Sequence, residues 1–236
     1  MVAYRVPREE SVVSPPSHCP SCDAPIRNRH NVPVLGWLLL RGRCFDCRAP
    51  ISARYPLVEA ETGAAFAATA VRFGDQPRLL PAYLCFVAIG IALTLIDVDV
   101  RRLPDKIVLP AYPALAVLLM VAWDLHALLR AAYAGAALFA FFFLVATLAA
   151  GSMGFGDVKL SGLVGGMLGY LSWGALLTGA FLGFFLGAVV GVVLMATTKA
   201  GRKTAVPFGP FMILGAWVSI LGAGDLGEAY LRSLGV

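Results

Sequence analysis

Residues 160–198 read LSGLVGGMLGYLSWGALLTGAFLGFFLGAVVGVVLMATT, 39 positions without one charged side chain. At 1.5 Å per residue, a single helix of that length would measure about twice the ~30 Å hydrocarbon core of a bilayer. The run must fold back on itself. A turn is expected between Gly169 and Gly174, where Tyr170 and Trp173 suit a membrane interface.

Further uncharged runs occupy 80–96, 107–123, 131–156 and 204–224, and an apolar stretch at 56–73 carries Glu59 and Glu61 near its start. Seven spans follow. The composition agrees, with 59% apolar and 14% charged residues in 236 and a mean hydropathy of +0.78. Those values exclude both an ordinary soluble enzyme and a disordered chain. The expected fold is an all-α polytopic membrane protein of about seven transmembrane helices. Gly165, Gly166 and Gly169, and Gly183, Gly187 and Gly191 at four-residue spacing, read as surfaces for close helix packing.

Charge sets the expected orientation. Residues 1–55 hold Arg5, Arg8, Arg27, Arg29, Arg41, Arg43, Arg48 and Arg54. Threading seven spans places Arg101, Arg102, Lys106, Lys159, Lys199, Arg202 and Lys203 on the same side, and Arg72, Arg78, Arg130 and Arg232 on the other. Fifteen against four puts the amino-terminal segment in the cytoplasm. The net charge of +5 then belongs to topology and lipid headgroups, and nucleic acid is not an expected partner. The chain starts polar, with no secretory signal peptide. The expected division is a cytoplasmic segment over 1–55 and a membrane domain over 56–236.

Cys19-Pro-Ser-Cys22 and Cys44-Phe-Asp-Cys47 are two C-x-x-C knuckles separated by 21 residues. Two knuckles can present four thiolates to Zn²⁺ at ~2.3 Å. Disulfides are the alternative, and the cytoplasmic placement argues against them. Four cysteines leave no open coordination position, so the metal is expected to be structural, supplying folding energy to a segment too short for much of a core. Cys85, alone in an apolar run, reads as a small buried hydrophobe.

Asp97 ends the run 80–96. Asp99 and Asp105 follow in Asp97-Val-Asp-Val-Arg-Arg-Leu-Pro-Asp105, and Asp157 sits in Gly154-Phe-Gly-Asp157-Val-Lys159. The threading brings both sites to the cytoplasmic boundary, where an ionisable residue at a span end is a functional candidate. Solvated pairing with Arg101, Arg102 or Lys159 suits Asp99 and Asp105, but suits Asp97 and Asp157 less well. The glycines flanking Asp157 allow unusual backbone angles and close approach of an extended chain. Two carboxylates within a few ångströms hold one proton between them, the arrangement that activates water in aspartic proteolysis. Ion and proton pathways also use intramembrane aspartates, so a transporter or channel with a zinc-stabilised cap stays open at this point. No H-E-x-x-H, P-loop or Rossmann fingerprint competes.

The chain resembles the type IV prepilin peptidases. The resemblance rests on Val-Ala-Tyr-Arg-Val-Pro (2–7), both knuckles, Arg-Gly-Arg-Cys (41–44), Arg54-Tyr-Pro-Leu-Val-Glu59, Ile96-Asp-Val-Asp with Leu-Pro-Asp105, Gly-Phe-Gly-Asp-Val-Lys-Leu (154–160) and Pro-Phe-Gly-Pro (207–210). It implies an aspartic endopeptidase of the bacterial inner membrane, with Asp97 and Asp157 as the catalytic pair and Asp99, Asp105, Gly154, Gly156 and Lys159 as neighbouring candidates. It implies prepilin or type II secretion pseudopilin substrates, cut on the cytoplasmic side after a glycine and before the hydrophobic stem. It also implies N-methylation of the new amino terminus with S-adenosylmethionine. Members of the family usually carry a transmembrane helix ahead of the Tyr-Arg-x-Pro segment. Starting at Met1-Val-Ala-Tyr, this chain is expected to have seven spans rather than eight, and an inactive pilin-binding homologue is a further alternative.

Overall fold

A computed structural model describes residues 2–14, 16–148, 153–197 and 207–235. The described residues contain helices and turns, with two isolated β-bridges and no β-strand. The basic residues Lys199, Arg202 and Lys203, used in the charge argument, lie outside them. The chain divides into two compact units, Met1–Ala68 and Thr69–Val236.

The first unit has little apolar interior. Among its described residues the buried hydrophobic ones are Cys19, Cys44 and Ala65. Short helix α1 (Val2–Arg5) precedes the cysteine region, α2 (Leu35–Leu39) lies between its two knuckles, and helix α3 (Arg54–Arg72) begins in this unit. Specific polar contacts hold it instead. The Trp37 indole N–H donates to Ile51 O at 3.0 Å, and the Val34 N–H donates to the Glu59 carboxylate at 2.7 Å. Glu59 thereby ties α3 to the turn that opens α2. Gly42 has φ +68°, and a Cβ there would meet the Trp37 ring at 2.7 Å, so only glycine serves at that turn.

The second unit is a helical bundle of α4 (Leu80–Val100), α5 (Asp105–Met120), α6 (Leu125–Leu148), α7 (Phe155–Leu171), α8 (Trp173–Thr197), α9 (Gly209–Val218) and α10 (Gly224–Ser233). The long uncharged run does break where expected: α7 ends at Leu171, and extended Ser172 precedes α8. Helices α4, α6, α8 and the continuous stretch Gly209–Ser233 are long and apolar enough to cross a membrane. The last of these extends past the uncharged run. A kink within Ser219–Ala223, where Gly222 has a non-helical φ of +144°, joins α9 to amphipathic α10.

Small residues bring the helices together. Lipid is as apolar as leucine, so membrane helices associate through close backbone packing rather than through the hydrophobic effect. On α6, Ala131, Ala134, Gly135 and Leu138 form a stripe that meets α7. A Cβ on Gly165 would lie 2.8 Å from Ala134 O, and one on Gly135 would lie 2.9 Å from Gly162 O. Gly183 of α8 fits against Met212 of α9 in the same way, and Gly187 against the Phe208 ring, whereas Gly191 meets none of the described residues. The packing role expected for the 183–187–191 series holds for its first two members. Cys85 is half-buried against the apolar core, as its sequence context implies.

Two polar anchors fix α7. The Arg130 guanidinium donates to Gly169 O, Tyr170 O and Leu171 O at 2.6, 2.6 and 2.8 Å, closing the carboxyl end of the helix. The Tyr83 hydroxyl donates to Met167 O at 2.9 Å and stacks on Phe73 at 4.2 Å. The other end of α7 carries Asp157.

Candidate functional site

The first site is the cysteine cluster. All four Sγ atoms lie within 4.8 Å of one another, and none is in a disulfide. A tetrahedron with ~2.3 Å metal–sulfur bonds has edges of about 3.8 Å; Cys19 Sγ and Cys47 Sγ are 3.8 Å apart. The cluster can hold a metal ion. Its construction shows a repeat that the C-x-x-C spacing alone did not reveal. Cys19-Pro-Ser-Cys-Asp-Ala-Pro-Ile26 and Cys44-Phe-Asp-Cys-Arg-Ala-Pro-Ile51 share C-x-x-C-x-A-P-I at an offset of 25, and they fold alike. Cys19 N–H donates to Ala24 O at 2.9 Å and Cys44 N–H to Ala49 O at 2.8 Å. Asp23 and Arg48, at φ 55° and 63°, turn each chain back after its second cysteine. Bridges His18–Pro25 and Arg43–Pro50 close the two loops.

The thiols perturb one another. The Ser21 N–H is the largest influence that brings the Cys19 thiol down to about 7. At Cys22 the Ala24 N–H acts in the same direction. The Cys47, Cys19 and Cys44 thiols together with burial outweigh it and push Cys22 up to about 12. Thiols this close cannot all ionise unless a cation lies among them, which is the chemistry of a four-sulfur metal site.

The second site lies at one end of the helical unit, where α4 finishes and α5, α7 and α9 begin. Helix α4 stops because Arg101 adopts φ 52° and donates its N–H to Asp97 O at 2.9 Å. Extended Pro104 caps α5. Asp97, in the last turn of α4, is only 5% exposed, and its Oδ2 has no hydrogen-bond partner among the described residues. Asp157, in the first turn of α7, is half-buried, with its N–H on Gly154 O at 3.0 Å. Helix α9 packs against both α4 and α7. As a result the Gly209 amide addresses both carboxyl groups, which also interact with each other. A Cβ on Gly209 would lie 2.8 Å from Asp97 Oδ2. Three helix amino termini, with their partial positive charge, face this end.

The other candidates separate from this pair. Lys159 Nζ holds both Asp105 oxygens at 2.7 and 2.8 Å, joining the start of α5 to the start of α7. Asp105 thus takes the ion-pair role that its sequence context suited. Asp99 is exposed in the last turn of α4. Gly154 sits at an ordinary φ of −72° as the N-cap of α7. The unusual backbone angles expected around Asp157 are not used. The glycine requirement is steric instead, because a Cβ on Gly156 would meet Leu103 Cβ at 3.0 Å. Gly209 and Leu103 were not singled out from sequence. Their only signal was membership of the Pro-Phe-Gly-Pro and Leu-Pro-Asp motifs.

With this geometry in place, comparison with known proteins is decisive. The description "Bacterial Peptidase A24 N-terminal domain" matches residues 1–73, and "Type IV leader peptidase family" matches residues 84–192. A prepilin leader peptidase/N-methyltransferase of Stutzerimonas stutzeri is 36% identical over 224 residues, covering 92% of this chain and 75% of that protein. The chain belongs to the type IV leader peptidase family. A protein of the same name from Aeromonas hydrophila is 35% identical over 98% of this chain and 82% of its own length. One from Burkholderia pseudomallei (strain 1026b) is 37% identical over 89% and 68%. No solved structure matches. In this leader peptidase chain, the amino-terminal match takes in all four cysteines and the second match takes in Asp97 and Asp157. Gly209, which addresses both aspartates, lies beyond them.

Proposed function

We propose that this chain is a membrane-embedded aspartic endopeptidase that removes the leader of prepilins or pseudopilins at the cytoplasmic face of the bacterial inner membrane. The observation that carries this reading is the meeting of Asp97 and Asp157 at one backbone amide, Gly209, at the end of a bundle of apolar helices. The pair shares one proton. The ionised carboxylate takes a proton from a water molecule, whose oxygen attacks the scissile carbonyl as the protonated partner donates to the carbonyl oxygen. Collapse of the tetrahedral species breaks the C–N bond, and the departing amine takes up a proton from the pair. Burial of the substrate's apolar stem in the bilayer positions the bond beside the pair and makes the encounter effectively intramolecular.

The seven-span threading, with residues 1–55 in the cytoplasm, belongs to the same proposal. So does zinc as the structural ion of Cys19, Cys22, Cys44 and Cys47, whose sulfur-only donor set suits it. The relatives' description as N-methyltransferases supports a second activity, which we take to be methylation of the new amino terminus with S-adenosylmethionine. A transporter would place acids at mid-helix, whereas Asp97 and Asp157 stand in terminal turns.

The test is cleavage of a prepilin by the purified protein in lipid or detergent, with the product's amino terminus read by mass spectrometry. Asp97→Asn and Asp157→Asn are each expected to lower the rate by ~10³-fold or more while the protein still inserts and folds. Full cleavage by either variant would remove that residue from the pair. An added methyl on the product would establish the second activity.

A further inference from the structure

The connection between α4 and α5 is four residues long and pinned at both ends, by left-handed Arg101 on one side and Pro104 on the other. One of its side chains, Leu103, turns inward and packs against the apolar core. Its surroundings are unusual. Its Cβ lies 3.0 Å, and its Cγ and Cδ1 each 3.5 Å, from the place a Cβ would occupy on Gly156, the residue before Asp157. The same Cδ1 lies 3.5 Å from the place a Cβ would occupy on Gly209, whose nearest neighbour is Asp97 Oδ2. One isobutyl group therefore fills the space in front of the backbone that carries Asp157 and of the backbone that faces Asp97. It comes from a loop whose first turn is closed by the Asp97 carbonyl.

We infer that Leu103 is a positioning residue for the Asp97–Asp157 pair, a spacer that sets the separation of the α7 and α9 amino termini and so the placement of the two carboxyl groups. The inference rests on the reading of these aspartates as the reacting pair. Three features make a spacer necessary. Glycine at 156 and at 209 leaves backbone facing the gap with no side chain of its own to fill it. Near the aspartates, α4 and α7 are related through α5, α9 and this loop, and the direct Tyr83–Met167 hydrogen bond lies far along α7 from Asp157. The Lys159–Asp105 ion pair that also joins α5 to α7 is exposed and easily exchanged with water, whereas an aliphatic wedge between two backbones has a definite length. Reacting groups tolerate displacements of only ~0.5 Å, and an error of about 1 Å costs on the order of 10²-fold in rate.

The experiment is steady-state cleavage of a prepilin by full-length Leu103→Ala, Leu103→Met, Leu118→Ala and Asp97→Asn proteins in lipid, with thermal unfolding recorded for each. Leu118, half-buried on α5 against the same apolar core, controls for loss of an equal volume. Leu103→Ala is expected to lower kcat by ~10- to 100-fold with KM changed less than about 3-fold. Leu103→Met, which keeps the volume, should recover kcat to within about 3-fold, and Leu118→Ala should match the parent. If Leu103→Ala does not accumulate as folded protein, Leu103→Val should show the same kcat-selective loss at smaller size. A parental kcat in the truncated Leu103 variant, or a loss carried by KM, overturns the spacer role while inactive Asp97→Asn leaves the pair intact. Active Asp97→Asn would overturn the pair itself.

Discussion

At the residue scale, the site depends on what is missing from two positions as much as on the carboxylates. A methyl group on Gly209 would stand 2.8 Å from Asp97 Oδ2, inside normal contact. Gly209→Ala should therefore move the carboxyl group and reduce cleavage by at least ~10-fold while the melting profile changes little, which kinetics and thermal unfolding on one preparation would check. The Lys159–Asp105 pair has a different standing. It is bidentate and short, but Asp105 is about half exposed at 54% of its side chain, so the pair is screened. Its contribution to stability is about 0–1 kcal/mol, and Lys159→Ala should lower the rate by no more than a few-fold. A loss as large as that of Asp157→Asn would mean that Lys159 acts on the reacting groups.

At the element scale, α7 is the helix on which placement of the pair depends. It carries Asp157 in its first turn and Arg130's three hydrogen bonds at its last. Removing a charged donor from carbonyls that no intrahelical amide satisfies costs about 1.5–3 kcal/mol per effective bond. Arg130→Ala should accordingly destabilise the protein by roughly 2–4 kcal/mol, seen as a lowered unfolding temperature in detergent. Its effect on cleavage should follow the folded fraction, because Arg130 stands at the far end of α7 from Asp157. The α6–α7 seam is a second point of sensitivity. Gly165→Val would drive a branched side chain into Ala134 O and Gly135, and should separate the two helices.

At the scale of the whole molecule, the two compact units rely on different forces. The second buries large apolar side chains such as Phe142, Leu115 and Met167. Among its described residues the first has two cysteines and an alanine as its buried apolar residues, so a metal held by the four cysteines would supply what a core would. Chelation of the purified protein should expose residues 1–68 to limited proteolysis while the helical unit stays resistant. Cys19→Ser or Cys44→Ser should reproduce that pattern without a chelator. In the absence of metal the Cys22 thiol is held up to about 12. Zinc bound there would displace its proton, so lowering the pH would oppose binding. Affinity measured against a chromophoric chelator should fall steadily from pH 8 to pH 6.

Much of this was legible in the chain itself. An uncharged run of 39 residues cannot lie in water or span a bilayer once, so the all-helical class and the turn near Ser172 followed from length and hydropathy. Two C-x-x-C knuckles pointed to a metal because thiol spacing in sequence limits spacing in space. The two aspartates stood out because each is the first charge after a long uncharged run. Tertiary structure decided what depends on residues distant in sequence coming within a few ångströms. It paired Asp105 with Lys159, left Asp99 at the surface, and brought Asp97 and Asp157 to the amide of Gly209 with Leu103 wedged beside them. Periodicity and composition report which face of a helix is apolar. Where one helix end meets another is set by packing across the bundle, and here that packing depends on glycines whose partners lie tens of residues away.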